Sequence, residues 1–226
     1  MGRLRVRTVN PVRRKWLYLS GLGTGFRSVK GRALAGRLAG RGVELECVDL
    51  RVPEFQKMRV GAMLAQAWAA LGDAESAVVI GTSFGGLVAA LLAAQDPRVE
   101  ALVLFAPALH VGALRSRYPV ATWAWERLGW LPLWDKTEGR LRRVDAGLLR
   151  ELDGLGHWVP EVRVPTLLVQ GTRDWLVPAS VSRQFASGRP HVRLVEYADD
   201  HKLRSFLPAA VAETERFLAP WLQAQT

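Results

Sequence analysis

Gly81-Thr82-Ser83-Phe84-Gly85 follows the apolar run Ala77, Val78, Val79, Ile80 and precedes a second apolar segment over 87–94. Glycines two residues either side of a serine let a strand turn sharply into a helix with the serine at the apex, because a side chain at either flank would crowd the turn. The serine hydroxyl then stands above the sheet edge, beside the first amides of the new helix, which are donors for an anion. This pattern makes Ser83 a candidate nucleophile. Small residues also gather in ordinary strand-to-helix turns, so the stretch gains chemical meaning only if a base, an acid and further donors lie at other strand ends.

Upstream, Trp16-Leu17-Tyr18-Leu19 predicts a strand that enters the glycine-rich turn Ser20-Gly21-Leu22-Gly23-Thr24-Gly25. That turn lacks the lysine ending of a P-loop and the third glycine of a dinucleotide fingerprint, so it reads as a backbone donor site for a different anion. A helix is predicted over 30–39, stopped by Gly40 and Gly42, then a strand over 43–48. Val60, Met63, Leu64, Ala67, Trp68 and Leu71 mark an amphipathic helix over 60–71. The helix after Ser83, over 84–95, is apolar almost all round and belongs at the centre of the fold.

Further strands are predicted over 101–105, 165–170 and 192–197, with a last helix starting near Pro208. Strands alternating with helices in this way predict an α/β fold, a doubly wound, mostly parallel sheet with helices on both faces. One domain over 1–226 is expected, with 106–160, where the rhythm breaks, as an inserted helical lid. Trp123, Trp125, Trp130, Trp134 and Trp158 lie in that segment. They either fill the core of a small helical subdomain or line an apolar substrate pocket, and the two are compatible. Trp123, Trp125, Trp130 and Trp134, with Trp175, are the candidate pocket residues.

A length of 226 residues and a hydrophobic fraction of 49% permit a sizeable core. The formal net charge of +10 raises nucleic acid or another anion as a partner. Arginines are nevertheless scattered through the chain, and the densest cluster, Arg3, Arg5, Arg7 and then Arg13, Arg14, Lys15, alternates with Leu4, Val6 and Val9 as in a half-exposed strand. A solvated face is therefore expected there, and no specific nucleic acid. The lone Cys47 allows no intrachain disulfide and is expected as a buried, inert thiol. No stretch reaches the length of a membrane span, and Val6 stands where a myristoylation signal needs serine or threonine, so a cytoplasmic location is the default expectation. No two histidines share close helical spacing and no cysteine pair exists, so neither a metal nor another cofactor is expected.

Ser83, Asp174 and His201 occur in that order, each after a predicted strand. In order and context they resemble the α/β-hydrolase superfamily, over about nine-tenths of the chain from Trp16 onward. Gly81-Thr82-Ser83-Phe84-Gly85-Gly86 resembles the nucleophile elbow, Gly171-Thr172-Arg173-Asp174 with Val177-Pro178 the acid turn, and Asp199-Asp200-His201 with Leu203 the histidine loop. Within the superfamily the chain is similar to small esterases and thioesterases, including the abhydrolase-type acyl-protein thioesterases.

The resemblance implies a Ser-His-Asp triad in which His201 takes the proton of Ser83 and Asp174 orients the ring. The amides of Phe84 and of the first glycine-rich loop, assigned to Leu22, would receive the oxyanion. One departure is Ser20, where a histidine commonly precedes the glycine. His110, His157 and His191 are expected to be structural or solvent-facing, and Asp199 and Asp200 to shape their loop or face solvent. The expected substrate is a small-molecule ester or thioester with an apolar acyl group, and the basic balance fits anionic substrates such as acyl-CoA. The competing expectation is a non-catalytic or anion-binding protein on the same fold.

Overall fold

The computed structural model describes residues 14–25, 28–110, 114–155 and 160–223. The expected N-terminal strand through Arg3, Arg5, Arg7 and Arg13, and the positions of His157 and Trp158, lie outside the described residues. The first half runs β1 (Arg14–Leu19), α1 (Val29–Ala39), β2 (Glu46–Val48), α2 (Val60–Leu71), β3 (Ser76–Thr82), α3 (Phe84–Gln95) and β4 (Val99–Phe105). After it come α4 (Leu114–Arg117), α5 (Pro119–Leu128), β5 (Trp130–Asp135), β6 (Arg140–Asp145) and α6 (Gly147–Leu155). The chain then returns to β7 (Thr166–Gly171), α7 (Ala179–Ala186), β8 (Val192–Tyr197) and α8 (Leu207–Gln223).

Six strands form one sheet in the order β2-β1-β3-β4-β7-β8, and every neighbouring pair is parallel. Period-two alternation sorts its side chains. Leu17, Leu19, Val79, Leu102 and Leu104 face α2, α3, α6 and α7, whereas Trp16, Tyr18, Val78, Ile80 and Val103 face α1 and α8. Burial on both faces is why these strands read as continuous apolar runs. Helix α3 is buried from Phe84 through Ala93, in accord with its unbroken apolar sequence.

The strand order has a direct bearing on the site. From β1 the chain winds outward to β2, then crosses back to β3 on the other side of β1. The carboxyl ends of β1 and β3 therefore flank the topological switch point, where parallel α/β sheets leave a crevice for ligands. The loop 20–25 leaves one side of that crevice and Ser83 the other.

The segment 106–160 is less helical than expected: β5 and β6 form an antiparallel hairpin, with Trp130 opposite Asp145 and Asp135 opposite Arg140. Its turn is built by Asp135, fully buried, whose Oδ1 accepts from the amides of Thr137 (2.9 Å) and Glu138 (3.2 Å) and whose Oδ2 accepts from Arg142 (3.0 Å). Burial opposes the charge on Asp135, but these donors outweigh it and hold the carboxyl below the usual carboxylate range. Asp135→Ala would leave the Arg142 guanidinium with its bond to Gln56, take from Arg51 the more distant of its two carboxylates, and free the two amides. The expected loss is about 2–3 kcal/mol, less than for a fully buried pair because both arginines keep some solvent. A shift in the urea midpoint at constant slope is the check.

Cys47 is half-buried and not fully enclosed, with Sγ 4.0 Å from the Gly25 carbonyl. Burial pushes its thiol up to about 11, so it is protonated and unreactive at neutral pH. Among the described residues no helix is long and apolar enough to cross a membrane.

Candidate active site

Strand β3 ends at Thr82 and α3 begins at Phe84, so Ser83 alone makes the turn, at φ 53° and ψ −118°. A side chain is strained in this region of backbone space and persists only where surrounding contacts fix it. They do so here: the Ser83 amide donates to the Phe105 carbonyl (2.8 Å), and its carbonyl accepts from Gly86 (2.9 Å) and Ala108 (3.0 Å). A Cβ on Gly81 would fall 2.6 Å from the Gly85 carbonyl oxygen, and one on Gly85 would collide with the Leu19 and Ser20 carbonyls. The two glycines thus let α3 rise directly off the end of β3 and pass close to the end of β1, as the sequence spacing demands.

His201 Nε2 lies 3.0 Å from Ser83 Oγ, and His201 Nδ1 lies 2.7 Å from Asp174 Oδ2. The three residues come from the carboxyl ends of β3, β7 and β8 and form one chain of hydrogen bonds. Asp174 is held on all sides. Its Oδ1 accepts from the amides of Leu176 (2.9 Å) and Val177 (2.8 Å), and its Oδ2 also accepts from Gln170 Nε2 (3.1 Å). Burial works against its charge, but His201, the Val177 amide and Gln170 outweigh that and keep the carboxyl below its ordinary range.

Gln170 was not singled out from the sequence. Fully buried, it bonds Asp174 and the Val177 carbonyl through Nε2 and accepts from Ser182 through Oε1 (2.7 Å). The signal in the sequence is a glutamine directly after the apolar run Leu167, Leu168, Val169.

The histidine loop is fixed from beneath. Asp199 accepts from the amides of Asp200 (2.8 Å), Ser205 (2.9 Å) and Phe206 (3.2 Å), and Asp200 from that of Lys202 (2.8 Å). Both acids therefore shape the loop, as expected from their adjacency to His201. A Cβ on Gly171 would stand 2.5 Å from the Asp199 and Asp200 carbonyl oxygens, so the glycine admits the loop over the end of β7. His191 Nε2 lies 2.8 Å from the Val162 carbonyl, a structural contact, and His110 is half-buried just beyond β4.

Leu22 and Phe84 both line the cavity that holds Ser83 and His201. Phe84 is the first residue of α3, so its amide is one of those that no carbonyl of the helix can accept. The loop carrying Leu22 presses on the elbow, a Cβ at Gly21 reaching 3.3 Å from that of Ser83. The hairpin braces this loop, with the Lys136 amide donating to the Gly23 carbonyl (2.9 Å).

The cavity measures about 580 Å³, the size of a small-ligand site. Leu114, Trp125, Leu133, Leu148, Leu152 and Leu176 give it an apolar wall. Of the five candidate tryptophans only Trp125 is among them. It is buried, its Nε1 donating to the Val144 carbonyl (3.0 Å). Trp123, Trp134 and Trp175 are exposed, and Trp130 lies under the Arg143 guanidinium 4.3 Å from its ring centre.

Geometry explains these corrections. Residues two apart on a helix point to opposite sides, so Trp125 inside places Trp123 outside, and alternation on β5 puts Leu133 in the wall and Trp134 in solvent. Lys30, Lys136, Lys202 and Arg204 also line the cavity, a cationic group gathered from three separate segments. Among the described residues no three His, Cys, Asp or Glu side chains converge as a metal site would require.

The profile of an uncharacterised protein family (UPF0227) matches residues 15–119, a little under half of the chain. No curated protein matches the chain at the required significance. Solved structures do. Est1E from Butyrivibrio proteoclasticus, determined with ferulic acid bound, is similar at a TM-score of 0.79 and 18% identity, covering 95% of this chain and 91% of that one. Alpha/beta hydrolase domain-containing protein 10 from mouse gives 0.75 and 18%, over 92% and 90% of the two chains. A Paleococcus ferrophilus monoacylglycerol lipase gives 0.69 and 20%, over 96% of each. With six parallel strands in this order, an elbow at the switch point and these neighbours across nearly its whole length, the chain has the α/β-hydrolase fold.

Proposed function

We propose that this chain is a serine hydrolase that cleaves carboxylic esters or thioesters through an acyl-enzyme on Ser83. The observation that carries the reading is the continuous path from Ser83 Oγ to His201 Nε2, and from His201 Nδ1 to Asp174. A serine hydroxyl is a weak nucleophile at neutral pH and needs a base in contact to take its proton during attack. His201 is that base, and buried Asp174 fixes its tautomer and stabilises the imidazolium. The oxyanion forms at the N-terminus of α3, between the amides of Phe84 and Leu22, and loss of one such donor costs about 3–4 kcal/mol of transition-state stabilisation. The acyl chain occupies the wall of Leu114, Trp125, Leu133 and Leu148. Est1E with its bound ferulic acid and the monoacylglycerol lipase among the structural neighbours are in keeping with this reading.

A fluorophosphonate probe is expected to add one phosphonyl group to the protein, at Ser83, read by intact mass and peptide mapping. A binding protein without catalytic power would leave the mass unchanged. Turnover of a short p-nitrophenyl ester is expected to survive EDTA in full, since no step needs a metal. Loss of rate that added zinc restores would overturn the mechanism.

A further inference from the structure

We propose that Lys30, Lys136, Lys202 and Arg204 bind an anionic group, a carboxylate or phosphate, on the leaving-group side of the substrate, so that the preferred ester or thioester carries its negative charge beyond the scissile bond. This rests on the serine-hydrolase reading of Ser83. The side is fixed by the chemistry of His201. As Ser83 Oγ bonds to the acyl carbon and the bond to the leaving oxygen or sulfur breaks, the proton taken by Nε2 passes to that leaving atom, and water later releases the acid. The leaving group must therefore lie over His201.

The cations line the same cavity as His201. Lys202 follows His201 directly, Arg204 stands three positions on, and Lys30 Nζ donates to the His201 carbonyl at 3.2 Å. Lys136 extends from the hairpin turn, its Nζ 3.4 Å from Thr24 Oγ1. The acyl end of the same cavity is apolar.

Several of the chain's other cations sit in ion pairs. Arg59 is paired with Asp145, Arg98 with Asp96, Arg115 with Glu126 and Asp153, and Arg37 and Arg41 with Glu215. Among the described residues no carboxylate lines the cavity, and none lies within ion-pair distance of Lys30, Lys202 or Arg204. The cluster also repels itself. Burial and then the charge of Lys136 bring Lys30 down to about 8, against the opposing pull of Asp174, Asp200 and Asp199. Burial, then Lys202 and Arg204, lower Lys136. Like charges gathered in a cleft with apolar walls form a field focused on one anion.

The test compares two esters with the same acyl group, the butyryl ester of 4-hydroxybenzoate and that of its methyl ester. For the natural protein at low salt, kcat/KM is expected to favour the anionic ester by about tenfold or more, and the preference to shrink as salt is added. In the double variant Lys136→Glu with Arg204→Glu the ratio is expected to fall to one or below. Arg163→Glu, at an exposed position paired with Glu161, changes the net charge elsewhere and is expected to keep the ratio high. Equal kcat/KM for the two esters, or an equal fall in the ratio for Arg163→Glu, overturns the anion site while leaving the hydrolase reading intact. Absence of turnover on both esters together with absence of fluorophosphonate labelling overturns the hydrolase reading, and the leaving-group assignment with it.

Discussion

Ser83→Ala is expected to lower turnover of any accepted ester by about a million-fold, the scale on which loss of a nucleophile or its base removes triad catalysis. The substitution deletes one oxygen atom and leaves the elbow backbone untouched, because the bonds that fix Ser83 to Phe105, Gly86 and Ala108 use only main-chain groups. The circular dichroism spectrum and urea midpoint should therefore stay close to those of the natural protein. Full turnover in a folded Ser83→Ala variant would end the acyl-enzyme proposal. A companion variant separates chemistry from strain. Ser83→Gly is equally inactive but removes the Cβ from a backbone at φ 53°. It should be more stable than Ser83→Ala by about 1 kcal/mol, a strain otherwise held in place for the position of the hydroxyl.

Asp174→Asn should lower kcat/KM by about ten-thousand-fold, and the cause is legible in the turn around it. Oδ1 is fixed as an acceptor by the amides of Leu176 and Val177. The amide group of asparagine must then place its NH₂ where Oδ2 stood, donating to His201 Nδ1. The ring responds by carrying its proton on Nε2, which faces Ser83 and can no longer accept from it. The same NH₂ also meets the donor of Gln170, so a modest loss of stability accompanies the loss of rate. Because the folded carboxyl is depressed, Asp174 contributes stability that is fully present above its ordinary range and disappears as pH falls through the depressed value. The gap in urea midpoint between the natural protein and Asp174→Asn should therefore close on acidification. A pH-independent gap, or a rate within tenfold of the natural protein's, would show that Asp174 does not hold the ring.

The parallel sheet is open to sequence reading because its central strands are buried on both faces and so read as apolar runs, and three of its strands lead into a residue with chemistry: Ser83 after β3, Asp174 after β7, His201 after β8. The insert is not. Its hairpin is a two-stranded ribbon with solvent on one side, so β6 reads Arg140-Leu141-Arg142-Arg143-Val144 with Leu141 exposed, and Pro132 interrupts β5 where only an edge tolerates it. The buried Asp135 that closes the turn looks in sequence like any surface acid. The tryptophans misled for a related reason: a thin insert has more surface than interior, and Trp123 and Trp134 fall on the surface. The cations of the cavity come from residues 30, 136, 202 and 204, three segments that only the folded chain brings together.

The insert leaves the sheet after β4 and returns before β7, while Ser83, Asp174 and His201 are all held by the sheet itself. Much of the apolar wall, including Leu114, Trp125, Leu133, Leu148 and Leu152, belongs to the insert. On the proposed reading, bond-breaking and the choice of acyl group would thus be encoded in separate stretches of chain. On that reading, substitutions confined to 114–152 would alter acyl preference while leaving Ser83, Asp174 and His201 in place.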